Sequence, residues 1–343
     1  MKPAVLVTGA TGFLGRSVVR ELCQEYEVHA LVRPTADRAP LADLPVTWHT
    51  GDLTDPPSVE AALAATAARA RELGSEDGPH LVHSAAVISY RSSDGALQRS
   101  VNVEGTRTLL EIARRHRVRR SVHVSSIVTV GHATTDAPVD EDSEWNGASL
   151  GVDYVSTKRE AEELALEHAD ELGLRVVNPA AIFGPVGPTS NTSRFVCSVA
   201  RGQLGPLAPP GGMTVVGVRD VACGVRLALE QGRTARRYLL GESYLAVGEL
   251  ARAVSRCLAD LGLAGRAPRA TLPRAVWPAV RAGARVLDRI RPLELAPPQA
   301  LTLLGLRWHC DAGRARRELG WAPAPFKSVL LETVRHLHQN GHL

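Results

Sequence analysis

Short apolar runs alternate with longer stretches that are apolar at helical spacing through the first half of the chain. Ala4-Val5-Leu6-Val7, residues 27–32, Val46-Thr47-Trp48-His49, residues 80–83, Ser121-Val122-His123-Val124 and Leu174-Arg175-Val176-Val177 are of buried-strand type. Ser17–Leu22 and residues 57–73, 94–116 and 153–173 place apolar side chains three and four apart, as amphipathic helices do. Strands alternating with helices predict an α/β fold built on a doubly wound parallel sheet. Its crossovers are right-handed and its ligands bind at the carboxyl ends of the strands. Each run ends in small or polar residues, so the chemistry is expected there.

After Pro179 the rhythm breaks, and residues 184–191 and 205–212 are rich in Pro and Gly. The expected division is a nucleotide-type domain over 1–183 and a smaller, interlocked C-terminal substrate domain over 184–343. Returns to the large sheet are expected near 214–240, as a strand at Thr214–Gly217, a helix at 219–231 and a strand at Tyr238–Leu240. Further helices are expected at 248–261, 273–290, 311–319 and 327–339. Within 273–291, Val276, Val280, Ala284 and Leu287 read as a core stripe with Trp277 beside it. Arg274, Arg281, Arg285 and Arg289 read as a solvated face. The sharper reading of this segment is a lid over an apolar substrate, or a surface for acidic membranes or a carrier.

At 343 residues the chain can bury a substantial core, and 44% hydrophobic with 22% charged residues is ordinary for a globular protein. A formal net charge of +4 gives no argument for nucleic acid. Cys23, Cys197, Cys223, Cys257 and Cys310 are odd in number and scattered, which suits a reducing cytoplasm and no structural metal. A strand begins within four residues of the N-terminus and no run reaches ~20 apolar residues, so neither a signal peptide nor a membrane span is expected.

Two stretches carry the chemistry. Thr8-Gly9-Ala10-Thr11-Gly12-Phe13-Leu14-Gly15 lies between the first strand and the first helix. Gly9 can turn out of the strand, Gly12 admits a pyrophosphate close to the backbone, and Gly15 lets helix and strand pack; Thr11, Phe13 and Leu14 complete the cradle. The helix N-terminus then offers free N–H groups to phosphates. Eighteen residues after Gly15, where an acid would hold a ribose 2′-hydroxyl, stands Arg33, with Arg38 nearby. A guanidinium binds a 2′-phosphate that a carboxylate would repel, so NADP(H) is expected over NAD(H). The second stretch, Tyr154-Val155-Ser156-Thr157-Lys158, puts Tyr154 and Lys158 on one helix face. A nearby ammonium and a positive nicotinamide both favour a phenolate, so Tyr154 can serve as acid or base.

The spacing G-x-x-G-x-x-G after Thr8, followed by Y-x-x-x-K, resembles the extended branch of the short-chain dehydrogenase/reductase superfamily. The resemblance implies a Rossmann sheet, and Ser126, five before Gly131, as the third catalytic group with Tyr154 and Lys158. It implies that Asp52 accepts from the adenine amino group and that Leu53 packs on the ring. Ala85 and Ala86 would lie against the cofactor, and Asn102 would brace the central strands. Asn178-Pro179-Ala180-Ala181-Ile182-Phe183-Gly184-Pro185 resembles the dihydroflavonol reductase-like and hopanoid-associated epimerase-like branch, where the matching Pro179 and Ile182 line the nicotinamide face. Helices 103–116 and 153–173 correspond to those that pair in homodimers of similar enzymes, with Ala161, Leu164, Ala165 and His168 on the shared face.

The expected function is NADP(H)-dependent reduction of a ketone or aldehyde, or oxidation of the matching alcohol, on a small or lipophilic molecule. A nucleotide-sugar epimerase or dehydratase is the alternative. Against it, Gly212–Asp220 lacks the diphosphate-gripping Arg and the aromatic near it, and Ser126-Ile127 stands where dehydratases place Thr-Asp, although an arginine elsewhere, such as Arg194, could serve. A dinucleotide-sensing protein without turnover is a third reading, opposed by the presence of both Tyr154 and Lys158.

Overall fold

The computed structural model describes residues 2–75, 78–291, 293 and 297–343. In chain order it runs β1 (Ala4–Thr8), α1 (Phe13–Leu22), β2 (Glu27–Val32), β3 (Val46–Thr50), α2 (Pro56–Glu72), β4 (His80–His83), α3 (Gly95–Gln98), α4 (Gly105–Arg115), β5 (Arg120–Val124), α5 (Asp153–Glu167), α6 (Ala169–Leu172) and β6 (Leu174–Pro179). It continues through β7 (Ala181–Phe183), α7 (Asn191–Ala200), β8 (Leu207–Ala208), β9 (Gly212–Gly217), α8 (Val218–Gln231), β10 (Arg237–Leu240), β11 (Ser243–Ala246) and α9 (Val247–Asp260). The last elements are β12 (Ala270–Thr271), α10 (Trp277–Ile290), α11 (Pro298–Leu304), β13 (Arg307–Trp308), α12 (Gly313–Leu319) and α13 (Phe326–Gln339).

Seven parallel strands form the main sheet in the order β10-β6-β5-β4-β1-β2-β3. This is a doubly wound Rossmann sheet, as expected. Both its faces are buried, which is why its strands read as unbroken apolar runs. Along β1, Val5 and Val7 enter a core shared with Val18, Val19 and Leu22 of α1 and Val221, Val225 and Leu229 of α8. Leu6, between them, enters the opposite core with Leu63 of α2, Leu109 of α4 and Leu164 of α5. The strand order reverses between β1 and β4, so a crevice opens at their carboxyl ends, where such sheets take their ligands.

A second, four-stranded sheet joins β11, β9 and β13, with β7 also on β9. It backs onto a third core of Val196, Val215, Val254, Phe326 and Leu330 from α7, β9, α9 and α13. The strand expected to return to the main sheet at 214–217 is therefore the centre of the small one. Val215 and Val216 enter different cores, so β9 is apolar on both faces like a main-sheet strand, and pattern alone cannot assign its partners. The helix after it and β10 do return to the main sheet.

Two other expectations changed. A π-helical turn, Arg99–Glu104, interrupts the helix over 94–116. The helix over 153–173 breaks at His168 and ends on Gly173, whose φ is +47°. Helix α7 follows the first of the two Pro/Gly-rich stretches, capped where Ser193 N donates to Ser190 Oγ at 3.1 Å.

Two surface assignments are corrected. Ala161, Leu164 and Ala165, offered as a dimer face, are buried inside the subunit against the sheet. Helix α10 turns Trp277, not the Val276/Leu287 stripe, inward: Trp277 is 7% exposed, whereas Val276 and Leu287 are 45% and 50% exposed. The indole is the largest apolar group on the helix, and it seats over Gly305, where a Cβ would come within 2.0 Å of its Nε1.

Buried histidines make the fold acid-sensitive. Burial holds His83 at about 3 and His29 at about 4, and depresses His123 well below its ordinary range. These rings are neutral when folded, while the unfolded chain protonates them as pH falls through about 6.5. Stability is thus complete above about 6.5 and is lost below it by about 1.4 kcal/mol per pH unit for each ring. The thermal midpoint should drop by several degrees between pH 7 and pH 5; an unchanged midpoint would mean that these rings gain their protons within the fold.

Candidate active site

The glycine stretch closes the crevice from below. Gly9 has φ +71°, and a Cβ there would meet Ala85 N at 2.7 Å. A Cβ on Gly15 would meet Gly9 O at 1.9 Å, so helix and strand pack only with glycine at this position. A Cβ on Gly12 would meet nothing closer than Gly9 O at 3.2 Å, and Gly12 is exposed. It caps α1 with no side-chain bond, leaving the first-turn N–H groups at Phe13, Leu14 and Gly15 facing outward. A cradle floored by obligatory glycines and rimmed by free N–H groups fits a dinucleotide pyrophosphate.

Ala85 and Ala86 continue from β4 into the loop beside Gly9, where Ala85 N donates to Thr8 Oγ1 at 3.3 Å. Asn102, on the π-helical turn, accepts from Val87 N at 2.7 Å and donates to Val87 O and Thr157 Oγ1. It thereby ties the β4 loop to α5. At the far end, Asp52 uses Oδ1 to accept from Thr54 N and Oγ1, and Oδ2 has no partner among the described residues. The helix after it has Asp55 at its N-cap position, with no side-chain capping bond. Leu53 is buried beneath.

Arg33 is exposed at the turn after β2. Arg38 donates to Thr50 Oγ1 at 2.7 Å and lies 5.4 Å over the Trp48 ring. The sequence reading missed a third guanidinium: Arg16 donates through Nε to Thr11 O at 2.8 Å and sits 3.9 Å from Asp37. Its signal was its place directly after Gly15.

Ser126, Tyr154 and Lys158 are all buried, and the structure brings them together at the carboxyl end of β5. Ser126 starts a 3₁₀ turn, with its Oγ accepting from Val128 N at 3.4 Å. Burial pushes the Tyr154 hydroxyl above its ordinary range, and a hydrogen bond with Ser126 opposes that rise. Lys158 donates from Nζ to Val124 O at 2.9 Å. Burial lowers its ammonium to about 8, with the Glu162 carboxylate holding it up. Desolvation outweighs that hydrogen bond, so the phenol stays protonated. Tyr90 adds an edge-on ring contact to Tyr154 at 6.0 Å. Pro179 ends β6 of the main sheet, and Ile182 lies in β7 of the small one.

Behind these residues lies a polar knot. Glu162, fully buried, accepts from Thr129 Oγ1 at 2.5 Å and Asn178 Nδ2 at 2.6 Å, and its Oε1 lies 2.7 Å from Arg237 Nε. Asn178 also donates to Ser126 O at 3.2 Å, and Thr129 Oγ1 lies 2.7 Å from the same oxygen, its one proton shared between that oxygen and Glu162. One carboxylate therefore fixes both the Ser126 backbone and the neighbourhood of Lys158. Its spacing was the available signal: Glu162 follows Lys158 by four residues on the inward face of α5.

Crevice, glycine cradle and buried Ser-Tyr-Lys cluster together define a dinucleotide-binding protein of the extended short-chain dehydrogenase/reductase type. Residues 5–241 match the model of the NAD dependent epimerase/dehydratase family, and the chain belongs to that family. It is similar to "Sterol demethylase protein B" of Methylococcus capsulatus, 33% identical over 98% of each chain. It is also similar to "Putative dihydroflavonol 4-reductase" of Synechocystis sp., 30% identical over 100% of this chain and 97% of that one. Among solved structures, the crystal structure of gox2253 superposes with a TM-score of 0.83 at 29% identity, over the whole of both chains. The chain is accordingly an NAD(P)-dependent oxidoreductase. No helix among the described residues is long and apolar enough to cross a membrane, and no group of His, Cys, Asp or Glu among them is arranged to hold a metal.

Proposed function

We propose that the protein reduces a ketone or aldehyde on a small or lipophilic molecule with NADP(H), or oxidises the matching alcohol. The observation that carries this reading is the burial of Ser126, Tyr154 and Lys158 in one cluster beside the glycine cradle. Bound NADPH supplies the hydride. Ser126 Oγ donates to the carbonyl oxygen and stabilises its developing charge. Tyr154, held protonated by burial, gives that oxygen its proton. Lys158, near neutrality and charged beside Glu162, favours the tyrosinate left behind.

The relatives' names, a sterol protein and a reductase, support a lipophilic carbonyl. Against a nucleotide sugar stands the fate of Arg219 and Asp220. Arg219 pairs with Glu332 at 2.7 Å, and Asp220 accepts from Ala324 N and, through its carbonyl, from Trp321 Nε1. Asp220 serves the fold, and Arg219 is held in a surface ion pair.

Cofactor choice rests on Arg33 and Arg38 after β2, with Arg16 reaching to 3.9 Å from Asp37 of the same stretch. Wild-type protein should bind NADPH more tightly than NADH in titration calorimetry. Arg33→Asp should lose roughly ten- to a hundredfold in NADPH affinity, the worth of one charge-assisted bond turned into a repulsion. A wild-type preference for NADH would overturn this reading. Oxidation of NADPH upon addition of apolar ketones, with none upon addition of nucleotide-diphospho-sugars, tests the substrate class; the reverse result would favour the epimerase reading.

A further inference from the structure

We propose that the outward face of α10 docks the protein on an anionic lipid bilayer. Among the described residues seven large hydrophobic side chains are exposed, and four of them lie on this one segment: Val276, Val286, Leu287 and Ile290 at 45%, 58%, 50% and 78%. Around a helix of 3.6 residues per turn, these four fall on one side, opposite the inward Trp277, Ala284 and Asp288. Only Ala279 and Gly283 lie between them, so the stripe contains no polar group.

Charge says what covers it. Residues 273–291 hold five arginines and one acid, Asp288, so their formal charge equals the +4 of the entire chain. The rest of the protein is balanced, and the excess is concentrated here. Arg274, Arg285, Arg289 and Arg291 are exposed, with no carboxylate paired to any of them among the described residues. Asp288 is turned in and accepts from Leu293 N at 2.7 Å. An apolar stripe bordered by unpaired arginines is complementary to acyl chains under phosphate headgroups, whereas a neutral apolar partner would leave the arginines unused. At 14 residues the helix is too short to span a bilayer and lies flat in its surface.

Position supports the assignment. Helix α10 packs on α11, whose Gln299 donates to Asp153 Oδ2 at 2.7 Å and to Ser92 Oγ at 3.3 Å. Asp153 immediately precedes Tyr154. Ile88 and Leu97, exposed at 56% and 54%, flank the same 87–98 segment. Helix α10 is thus joined through α11 to the start of α5, which holds Tyr154. A lipophilic substrate would pass from bilayer to site without crossing water, a role that rests on the proposed reductase reading; the docking itself does not.

The test is flotation of the full chain, without substrate, on vesicles of phosphatidylcholine alone or mixed with phosphatidylglycerol. Wild type should float with the mixed vesicles, stay behind with the neutral ones and be released by high salt. Each arginine at an anionic surface is worth about a fivefold gain in binding, so Arg285→Glu with Arg289→Glu should cut the bound fraction more than tenfold. Val286→Ser with Ile290→Ser should do the same, and both variants should keep the wild-type thermal midpoint. Equal flotation on both vesicle types, no flotation at low salt, or unchanged flotation of the variants would overturn the proposal. So would light scattering in which Val286→Ser/Ile290→Ser converts a dimer into a monomer, since a second copy would then cover the face. A chain that floats but reduces no ketone sustains the docking and removes the reductase reading.

Discussion

Tyr154→Phe should leave NADPH binding and thermal stability in place and remove most turnover. The phenol is buried, and its ring packs edge-on against Tyr90 at 6.0 Å, a contact that phenylalanine keeps. Only the hydroxyl is lost. Desolvation holds that hydroxyl protonated, which suits it to give a proton to a developing alkoxide. Loss of one positioned acid costs roughly a hundredfold or more. The measurement is kcat on a reduced ketone beside a calorimetric titration with NADPH. Near-normal kcat would assign the proton to another group, and lost NADPH affinity would make Tyr154 a cofactor residue first.

The largest effect on stability is expected at Glu162→Ala. The substitution strands Arg237, Asn178 and Thr129 around an empty space and removes the carboxylate that supports Lys158. Breaking a buried pair by deleting one partner costs roughly 3–5 kcal/mol. Two residues earlier on the same helix, Glu160 pairs with Arg99 at 2.7 Å, but both side chains are exposed. Glu160→Ala should cost no more than about 1 kcal/mol. Denaturant titration of the two variants reads the contrast directly, and equal midpoints would show that the Glu162 cluster is compensated by relaxation.

Most of the sheet was legible because parallel strands buried on both faces announce themselves as apolar runs bounded by turns. The glycine stretch was legible because sterics demand those residues: the Gly9 and Gly15 contacts admit nothing larger. Legibility failed where partner choice, not periodicity, decides. β9 looks like a main-sheet strand and sits in the small sheet. Helix α10 offered two possible inward faces, and the seat for Trp277 at Gly305 chose between them. Ala161, Leu164 and Ala165 looked like interface residues because a core face and a dimer face share one pattern. Cross-chain contacts such as Glu162 with Arg237, 75 residues apart, are invisible to any local rule.

The strand β10 has a consequence for how the chain is made. It is the edge of the main sheet, yet it is synthesised only after β7, α7 and β9 have been laid down for the small one. A ribosome that has released residues 1–183 has released a sheet with a bare β6 edge and without the α8 cover for α1. That intermediate exposes apolar surface of the kind that aggregates or recruits chaperones. The small sheet in turn waits for β13, and Ala133 and Val139 of the loop after Ser126 wait to bridge Arg307 and Cys310. The loop after Ser126 is therefore among the last parts to be locked, and a chain cut short before residue 307 would carry Ser126, Tyr154 and Lys158 without the clasp on that loop.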